Sequence, residues 1–465
     1  MIAKQADRVV DPRSVEEKVQ ELKEIAQREM RELQVPGVAV GLTVNGLDYT
    51  FGFGITHIEN PLEVTSRTLF RIGSTTKTIT GQVIMMLVDQ GMVNLDDKVR
   101  KYLPNFKVQD EYASANVTVR QLLNHTAGWD GDIFFDTGAG DDALDKYVIK
   151  MSEVRQQTPL GELFTYNNAS LNIAGRIIEV VTGKTYEDAV QEMVLNPLGM
   201  DHSYFSLGEV MMHRFAMGHM LKDGKLEIGR PYAESRASAA CGGLISDAVD
   251  QMKYARFHMG DGRTPSGERL LSEQSMRLMQ TPIIDASGDT WIGITWHIND
   301  IGGVRIVSHG GSTVGQQSAF WMAPAEKVAM TVLTNQDGGI VLHERLSKWV
   351  QEHFLGAVET LPEPLILSEA ELAEYTGDYV MAQTGDVFTI TPKDGVLVMT
   401  HTVGDYSDIF ETPPDPYPPM RLGIYELNHY IFIDDPFKDL KGGFLRGPDG
   451  KVAWMSIGGR IIKKR

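Results

Sequence analysis

The sequence predicts an α+β protein, in which an antiparallel sheet with a helical subdomain is followed by a small β-barrel. Three observations predict this fold class. Strand-like runs occur near both ends of the first 360 residues, a long helical stretch separates them, and short strands alternate in the rest of the chain. Elements from both ends of a segment can complete one sheet, whereas short strands with turn signals are typical of barrels and sandwiches. We therefore predict two domains, residues 1–360 and residues 361–465.

The N-terminal part of the chain predicts a helix followed by a hairpin. Ser14 and Glu17 form a capping-box pattern, and apolar residues follow them at helical spacing. Pro36-Gly37 is predicted to end this helix. Two strand-like runs come next, VAVGLTVNG and LDYTFGFG, and Asn45-Gly46 between them is typical of a tight β-hairpin.

A helical region and further strands complete the first domain. From about Thr68 to Tyr254 the pattern is mainly helical. Antiparallel strands and then a helix over roughly 339–354 are predicted to follow. The simplest arrangement is one sheet assembled from both ends of this part of the sequence. The later strands are predicted at 289–297, 303–309, 317–323 and 327–335.

The pattern changes after a proline-bearing linker, LPEPLILSE (361–369). Short alternating runs such as DVFTITPKDG and KVAWMSIGG follow, and Asp394-Gly395 and Asp449-Gly450 are hairpin signals. About 100 residues of this kind predict a small β-barrel or sandwich.

The composition excludes several classes of protein. Of the 465 residues, 42% are hydrophobic and 23% are charged, values that are ordinary for a globular protein with a large core. The net charge is −18, so neither nucleic acid nor an anionic membrane surface is expected as a partner. The single cysteine, Cys241, excludes an internal disulfide and a cysteine-rich metal site.

Neither a cofactor nor a metal is expected, and the expected location is the cytoplasm. The twelve histidines include no H-E-x-x-H motif. No run reaches the roughly 18 consecutive apolar residues of a membrane span. The first twenty residues contain no apolar core of a signal peptide.

The segment LFRIGSTTKTITGQVIMMLVDQG carries the first candidate catalytic pair. Ser74 and Lys77 are three residues apart at the start of an apolar helix predicted to begin near Gly73, which places hydroxyl and amine on one helix face. The helix N-terminus favours negative charge at the serine oxygen, and a buried lysine could take the serine proton. The alternative is that Ser74 caps the helix and Lys77 lies on the surface.

Two later segments add polar groups suited to the same chemistry. Tyr166 and Asn168 are two residues apart on a predicted extended stretch, so hydroxyl and amide could face one substrate. His309-Gly310-Gly311 ends a predicted strand, where the missing side chains would let a substrate backbone lie along the strand edge. The alternatives are a helix cap at Asn168 or Ser170, and a plain turn at the two glycines.

The three motifs together resemble those of a known superfamily. The chain carries S-x-x-K, Y-x-N and H-G-G in this order, separated by about 90 and 140 residues. This motif set resembles that of the serine β-lactamase and penicillin-binding-protein superfamily, specifically its class C-like branch of esterases and D-amino-acid peptidases. Three further segments also look like family motifs: LLNHTAGW (122–129), NPLGMDHS (196–203) and AACGGLISDAVDQMKYA (239–255). The resemblance covers about residues 15–355. It implies a β-lactamase/transpeptidase-like catalytic domain. The remaining domain resembles the lipocalin-like β module attached to some members.

The resemblance implies a catalytic role for four residues. Ser74 would be the nucleophile that forms an acyl-enzyme, and Lys77 would take its proton. Tyr166 would relay protons to the leaving group and later from the attacking water. The backbone N–H groups of Ser74 and Ser312 would form the oxyanion hole, in which each preorganised donor contributes roughly 3–4 kcal/mol to lowering the barrier.

Substrate contacts are expected from three segments. The resemblance implies that Asn168 holds a substrate amide or carbonyl, and that His309, Gly310 and Gly311 line the substrate. The loop 129–142 follows the HTAG sequence and is a candidate rim of the cleft. Trp129 in this loop, together with Phe134-Phe135, would supply an apolar wall for an acyl group, and plain packing of these aromatic side chains is the alternative. The five aspartates of the loop leave a solvated loop or a calcium site as alternatives.

One departure from the family pattern bears on the substrate. Many β-lactamases and transpeptidases carry K-T-G where this chain has His309-Gly310-Gly311. A lysine would present a permanent cation to a substrate carboxylate, whereas histidine is mostly neutral at pH 7. We therefore expect weak or absent activity on penicillins, and a preference for esters or for amides without a fixed carboxylate.

The sequence thus predicts a serine hydrolase that acts on small ester or amide substrates through an acyl-enzyme. A D-amino-acid-directed peptidase is one alternative, and a penicillin-binding protein that acylates without turnover is another. The expected partner is a small-molecule ester, amide or short peptide, and self-association into a homo-oligomer is left open. The C-terminal domain would cap the active site or mediate that self-association.

Overall fold

The computed structural model describes residues 11–232, 235–382, 384–405 and 415–465. The first ten residues, on which the signal-peptide expectation partly depends, lie outside the described residues.

Strands occupy both of the regions in which the sequence predicts them. In chain order the described strands are β1 (Gly37–Val44), β2 (Leu47–Gly54), β3 (Phe70–Arg71), β4 (His219–Lys222), β5 (Lys225–Ile228), β6 (Ile245–Ser246), β7 (Ile284–Asp285), β8 (Thr290–Ile292), β9 (His297–Ile301), β10 (Val304–Thr313), β11 (Gln316–Ala323), β12 (Val328–Thr334), β13 (Gly377–Val380), β14 (Val387–Lys393), β15 (Val396–Thr402), β16 (Met420–Glu426), β17 (His429–Phe432), β18 (Lys441–Arg446), β19 (Val452–Ile457) and β20 (Arg460–Lys464).

Helices fill most of the region between the two groups of strands in the first domain. They are α1 (Val15–Glu32), α2 (Thr76–Asp89), α3 (Glu111–Asn116), α4 (Val119–Leu123), α5 (Ala143–Lys150), α6 (Asn168–Thr182), α7 (Tyr186–Val190), α8 (Asn196–Leu198), α9 (Leu207–Val210), α10 (Ala239–Gly242), α11 (Ala248–His258), α12 (Glu273–Met279), α13 (Gly339–Leu355) and α14 (Glu369–Leu372). Single turns of 3₁₀ helix occur at Gly73–Thr75, Val99–Lys101, Met151–Glu153, Arg236–Ser238 and Ala373–Tyr375, and a π-helical turn occurs at Gln191–Leu195. Within the described ranges, no helix combines the length and the apolar character that a membrane crossing requires.

One antiparallel sheet of eight strands forms the centre of the first domain. Its strand order is β2-β1-β12-β11-β10-β9-β8-β7, so the N-terminal hairpin lies beside the late strands. Val38 pairs with Thr334 and Val44 with Val328, on strands almost 300 residues apart in the chain. The prediction of one sheet assembled from both ends of this part of the sequence is therefore confirmed.

The local signals at the start of the chain are also confirmed. Ser14 and Glu17 form the complete capping box of α1. Asn45 and Gly46 both have positive φ angles, 51° and 81°, which is the backbone geometry of a type I′ hairpin turn. The helix itself ends at Glu32, before the predicted Pro36-Gly37 stop.

Three strand predictions are corrected by the structure. The predicted strand 289–297 divides into β8 and β9, because the chain bends between Ile292 and His297. Strand β10 continues to Thr313, so the two glycines after His309 lie within a paired strand rather than in a turn. The helical region also contains two short two-stranded sheets, β3 with β6 and β4 with β5.

Apolar clusters cover both faces of the central sheet. On one face α1 and α13 pack on the strands, and Leu22, Val40, Trp321 and Leu346 belong to that cluster. On the other face a larger cluster joins the sheet to the helical region. Helix α2 belongs to this second cluster and is buried along nearly all its length. Burying a large aliphatic side chain stabilises the fold by about 1.5–3 kcal/mol, and burial along α2 holds the start of this helix against the sheet.

The last eight strands form a closed barrel, as predicted. Strands β13 to β20 are hydrogen-bonded in sequence order, and β13 closes the barrel by pairing with β20. Tyr379, Tyr430 and Phe444 are among the large buried side chains of the barrel core. Helix α13 ends at Leu355 and β13 begins at Gly377, and the domain boundary near residue 360 stays a prediction.

Candidate active site

Ser74 and Lys77 are in direct contact at the start of α2. Ser74 lies in the 3₁₀ turn that leads into the helix, and Lys77 follows in the first turn of α2. Lys77 Nζ donates a hydrogen bond of 2.9 Å to Ser74 Oγ. Lys77 is completely buried, and the N-cap position of α2 is Thr75. The alternative of a capping serine with a surface lysine is therefore wrong.

A backbone carbonyl holds the lysine amine from the other side. Lys77 Nζ donates a second hydrogen bond, of 2.7 Å, to the carbonyl oxygen of Cys241. Cys241 lies in α10 and is buried, and its thiol donates to the carbonyl of Ser238. Cys241 therefore contributes its backbone carbonyl to the site rather than its thiol. No side-chain motif in the sequence could have indicated this contribution.

The backbone of β10 lies directly against the backbone that carries Ser74. A Cβ atom on Gly311 would lie 2.0 Å from the carbonyl oxygen of Ile72 and 2.8 Å from the amide nitrogen of Ser74. A Cβ atom on Gly73 would lie 3.0 Å from the amide nitrogen of Ser312. The two segments that would supply the oxyanion-hole donors are thus adjacent, as a two-donor oxyanion hole requires.

Tyr166 and Asn168 lie at the start of α6. The ring centre of Tyr166 is 5.1 Å from Lys77 Nζ. Asn168 is the first residue of α6, and the helix is capped by Asn167, whose side chain accepts from the backbone N–H of Ser170. The alternative of a cap at Asn168 or Ser170 is therefore wrong, and the Asn168 side chain is used elsewhere.

Three histidines surround the Tyr166 ring. His125 stacks on it with ring centres 4.7 Å apart, and the rings of His309 and His297 lie 6.2 Å and 6.4 Å away. Burial, together with the neighbouring charge of Lys77, lowers the pKa of His297 to about 4. Burial likewise lowers the pKa values of His125 and His309 well below the usual range. All three imidazoles are therefore neutral at pH 7.

A cavity of about 810 Å³ opens beside these groups. It contains most of the predicted site residues, while Lys77 reaches it through its contact with Ser74 Oγ. The predicted residues that line it are Ser74, Tyr166, Asn168, His309, Gly310, Gly311 and Ser312.

Trp129 does not lie in the cavity wall. It is completely buried and packs on Phe106, with ring centres 5.7 Å apart, because the chain turns its side chain into the apolar core. The expectation that Trp129 forms an apolar wall is therefore wrong. Phe134 from the same loop lines the cavity and is 56% exposed, whereas Phe135 packs against Tyr147.

The aspartate-rich loop contributes one carboxylate to the cavity wall. Asp132 lines the cavity and accepts a hydrogen bond of 2.6 Å from Asn168 Nδ2. Throughout the described part of the chain, no three His, Cys, Asp or Glu side chains are grouped so that they could hold a metal ion. Asp132 and Phe134 bring part of this loop to the cavity wall, in line with the expectation of a cleft rim.

The barrel also reaches the cavity, in line with one of the two roles expected of it, but it does so through residues that the sequence did not single out. Gly458 and Arg460, at the turn between β19 and β20, line it. Arg460 pairs with Asp132, so the only arginine in the described cavity wall has its charge offset by a carboxylate. No motif in the C-terminal sequence pointed to these residues, because their role depends on how the two domains are docked.

Comparisons with known proteins show what the chain is similar to. A family model described as Beta-lactamase matches residues 22–353. Penicillin-binding protein 4 of Amycolatopsis lactamdurans is 34% identical over 317 residues, covering 66% of this chain and 82% of that protein. Protein flp of Staphylococcus aureus (strain MW2) is 24% identical over 340 residues, covering 72% of this chain and 67% of that protein.

Two solved structures resemble the whole chain, including the barrel. A crystal structure of SurE superposes with a TM-score of 0.77 at 24% identity, covering 97% of this chain and 100% of that one. The octameric penicillin-binding protein homologue from Pyrococcus abyssi superposes with a TM-score of 0.62 at 24% identity, covering 96% and 100%. At this level of identity the likeness shows the fold alone.

Proposed function

The chain belongs to the beta-lactamase family, and on that premise we propose that it is a serine hydrolase that cleaves small ester or amide substrates through an acyl-enzyme on Ser74. One observation supports this most directly: the hydrogen bond of 2.9 Å between Lys77 Nζ and Ser74 Oγ beside a cavity of about 810 Å³. A hydroxyl paired with a buried amine is one arrangement that can activate a nucleophile.

The proposed reaction has two halves. Ser74 Oγ attacks the substrate carbonyl carbon while its proton passes to Lys77, and the backbone N–H groups of Ser74 and Ser312 stabilise the oxyanion. Collapse of this intermediate breaks the bond to the leaving group, which takes a proton through Tyr166. Water then attacks the acyl carbon and gives up a proton through Tyr166. Collapse of this second intermediate breaks the bond to Ser74 Oγ, which takes that proton as the acid product leaves. Asn168 holds a substrate amide or carbonyl during both halves.

The proposed substrates are esters, or amides without a fixed carboxylate. The neutral imidazole of His309 takes the place of the permanent cation that a K-T-G lysine would provide. Arg460 lines the cavity, but its charge is paired with Asp132. Penicillins, which carry a carboxylate, are therefore expected to be poor substrates.

The first test is the intact-protein mass after brief incubation with three separate reagents. These are an activated short-chain ester, a D-alanine amide and a penicillin, each with Ser74→Ala as the control. We expect a transient adduct and product release with the ester, both lost in Ser74→Ala. The absence of adduct and product with all three reagents would contradict the proposed function.

Two alternatives make different predictions in the same experiment. Preference for the D-alanine amide would indicate a D-amino-acid-directed peptidase, and a structure of the neighbour SurE has been solved with D-Leu. A lasting adduct formed by penicillin alone would indicate a binding protein without turnover, in line with the name of the Amycolatopsis lactamdurans relative.

The proposal includes two domains, 1–360 and 361–465, and self-association of the chain. The Pyrococcus abyssi neighbour, described as octameric, supports a homo-oligomer. Light scattering of the purified full chain measures the assembly directly.

A further inference from the structure

A tight turn of the barrel enters the active site. Strand β19 ends at Ile457 and β20 begins at Arg460, and these two residues pair across the Gly458-Gly459 turn. Both glycines have positive φ angles, 55° and 79°, which a two-residue type I′ turn requires. The turn therefore has a defined shape, and it presents Gly458 and Arg460 to the cavity.

The turn makes a backbone contact with the proposed catalytic segment. The backbone N–H of Tyr166 donates a hydrogen bond of 2.8 Å to the carbonyl oxygen of Gly459. A Cβ atom on Gly459 would lie 3.3 Å from the Phe164 ring and 3.8 Å from Tyr166 Cβ. The barrel therefore packs directly on the residues that precede α6.

Side chains make a second contact, through a shared carboxylate. Arg460 Nε donates to Asp132 Oδ2 at 2.8 Å, and Arg460 Nη2 donates to Asp132 Oδ1 at 3.2 Å. The same Oδ1 accepts from Asn168 Nδ2 at 2.6 Å. Charge-assisted bidentate pairs of this kind are stronger and more directional than neutral hydrogen bonds. Arg460, Asp132 and Asn168 thus form a continuous chain from the barrel to the site.

We propose that Asp132 and Arg460 are positioning residues, through which the barrel sets the orientation of the Asn168 amide for substrate binding. This inference rests on the proposed function, in which Asn168 contacts a substrate amide or carbonyl. It assigns the barrel a part in substrate selection.

The Asp132 carboxylate can fix the orientation of the Asn168 amide because the two ends of that amide differ: the nitrogen donates hydrogen bonds and the oxygen accepts them. With Asp132 accepting from Asn168 Nδ2, a half-turn of the amide would place its carbonyl oxygen against a carboxylate oxygen, which is repulsive. The amide therefore presents its carbonyl oxygen away from Asp132 in one orientation. Arg460 in turn holds both oxygens of Asp132, so the carboxylate cannot rotate away from Asn168.

The test compares two esters of the same activated leaving group. p-Nitrophenyl N-acetylglycinate has an amide beside the scissile carbonyl, and p-nitrophenyl pentanoate has an acyl chain of the same length without one. We expect Arg460→Gln and Asp132→Asn to lower the ratio of the two kcat/KM values about 10-fold or more, by losing the oriented amide. Arg460→Lys, which keeps the charge and one hydrogen bond, should recover part of the ratio.

A matched control comes from the same barrel. Arg446 also forms a bidentate pair, with Glu374, at 2.8 Å and 2.9 Å. Neither residue lines the cavity, so we expect Arg446→Gln to leave the ratio within about 2-fold of the wild-type value. Because both esters are measured on one preparation, a reduced fraction of folded protein lowers both rates and leaves their ratio unchanged.

The outcomes separate this inference from the proposed function. An unchanged ratio in Arg460→Gln and Asp132→Asn overturns the positioning role, while Ser74-dependent turnover would leave the proposed function standing. Turnover that survives in Ser74→Ala, or no turnover of either ester by the wild type, overturns the proposed function and this inference with it.

Discussion

At the scale of single residues, Gly311 has a different role from the one its sequence context suggests. The expectation was that a missing side chain would let a substrate lie along the strand. In the structure, that space is taken by the protein's own backbone, because a Cβ on Gly311 would meet Ile72 O at 2.0 Å and Ser74 N at 2.8 Å. Gly311 is therefore needed for the contact between β10 and the segment that carries Ser74, the proposed nucleophile.

This difference makes a prediction about two neighbouring glycines. Gly311→Ala must separate β10 from the segment 72–74, so we expect kcat/KM on an activated ester to fall about 100-fold or more. A Cβ on Gly310 would meet only the Ser318 carbonyl oxygen, at 3.2 Å, so Gly310→Ala should lose far less. Steady-state kinetics of both variants check this, and equal losses would contradict the assigned role of Gly311.

At the scale of elements, the lysine amine depends on how α6, α10 and α2 pack together. The Cys241 carbonyl that accepts from Lys77 lies in α10, and the neighbouring Ala240 carbonyl accepts from Thr80 Oγ1 in α2 at 2.7 Å. Gly175 of α6 faces α10, and a Cβ there would lie 2.5 Å from Ala240 Cβ. Close approach of α6 thus holds α10 in place against α2.

We expect Gly175→Ala to destabilise the protein, although alanine is the better helix former. Overpacking costs about 1–3 kcal/mol and the gain in helix propensity is at most about 1 kcal/mol. Gly208→Ala is the control, because Gly208 is exposed in α9 and a Cβ there meets only Ser206 Oγ at 3.4 Å. Urea denaturation measures both free energies of unfolding, and a more stable Gly175→Ala protein would contradict the packing argument.

At the scale of the whole molecule, buried neutral histidines make stability depend on pH. Burial lowers the pKa values of His258 and His343 to about 3 and that of His297 to about 4. In the unfolded chain these groups titrate near 6.5. Between those values the unfolded state binds more protons, so the free energy of unfolding falls as the pH falls.

Among the described residues, four carboxyls whose pKa values are raised by burial oppose this trend: Asp130, Glu179, Asp337 and Glu344. Burial raises the pKa of Asp130 to about 6, so the folded state binds its proton first and gains stability as the pH falls through that value. Burial also lowers the pKa values of His125, His219 and His309, so six histidines outweigh these four carboxyls. We therefore expect the Tm to drop steadily from pH 7 to pH 4.5. Differential scanning calorimetry measures this. His258→Gln should show a weaker dependence, and a Tm that is flat or rises on acidification would contradict the argument.

Short-range patterns in the sequence determined the main elements and the proposed catalytic pair. The spacing of Ser74 and Lys77 brings hydroxyl and amine together because residues three apart share one face of a helix. The capping box of α1 and the Asn45-Gly46 turn are likewise local, since backbone geometry within a few residues decides them. The alternating strands predicted the sheet and the barrel for the same reason.

Only the tertiary structure decided what surrounds that pair. Three contacts around it join residues that are far apart in the chain. They are the hydrogen bond from Lys77 to the Cys241 carbonyl, the hydrogen bond from the Tyr166 N–H to the Gly459 carbonyl, and the pairing of Arg460 with Asp132. Such contacts depend on how helices and domains dock, which no local pattern encodes. The neutral state of His309 and the inward side chain of Trp129 depend on burial in the same way. Burial and domain docking are properties of the packed molecule, and they decide which side chains and backbone groups surround the sequence motif.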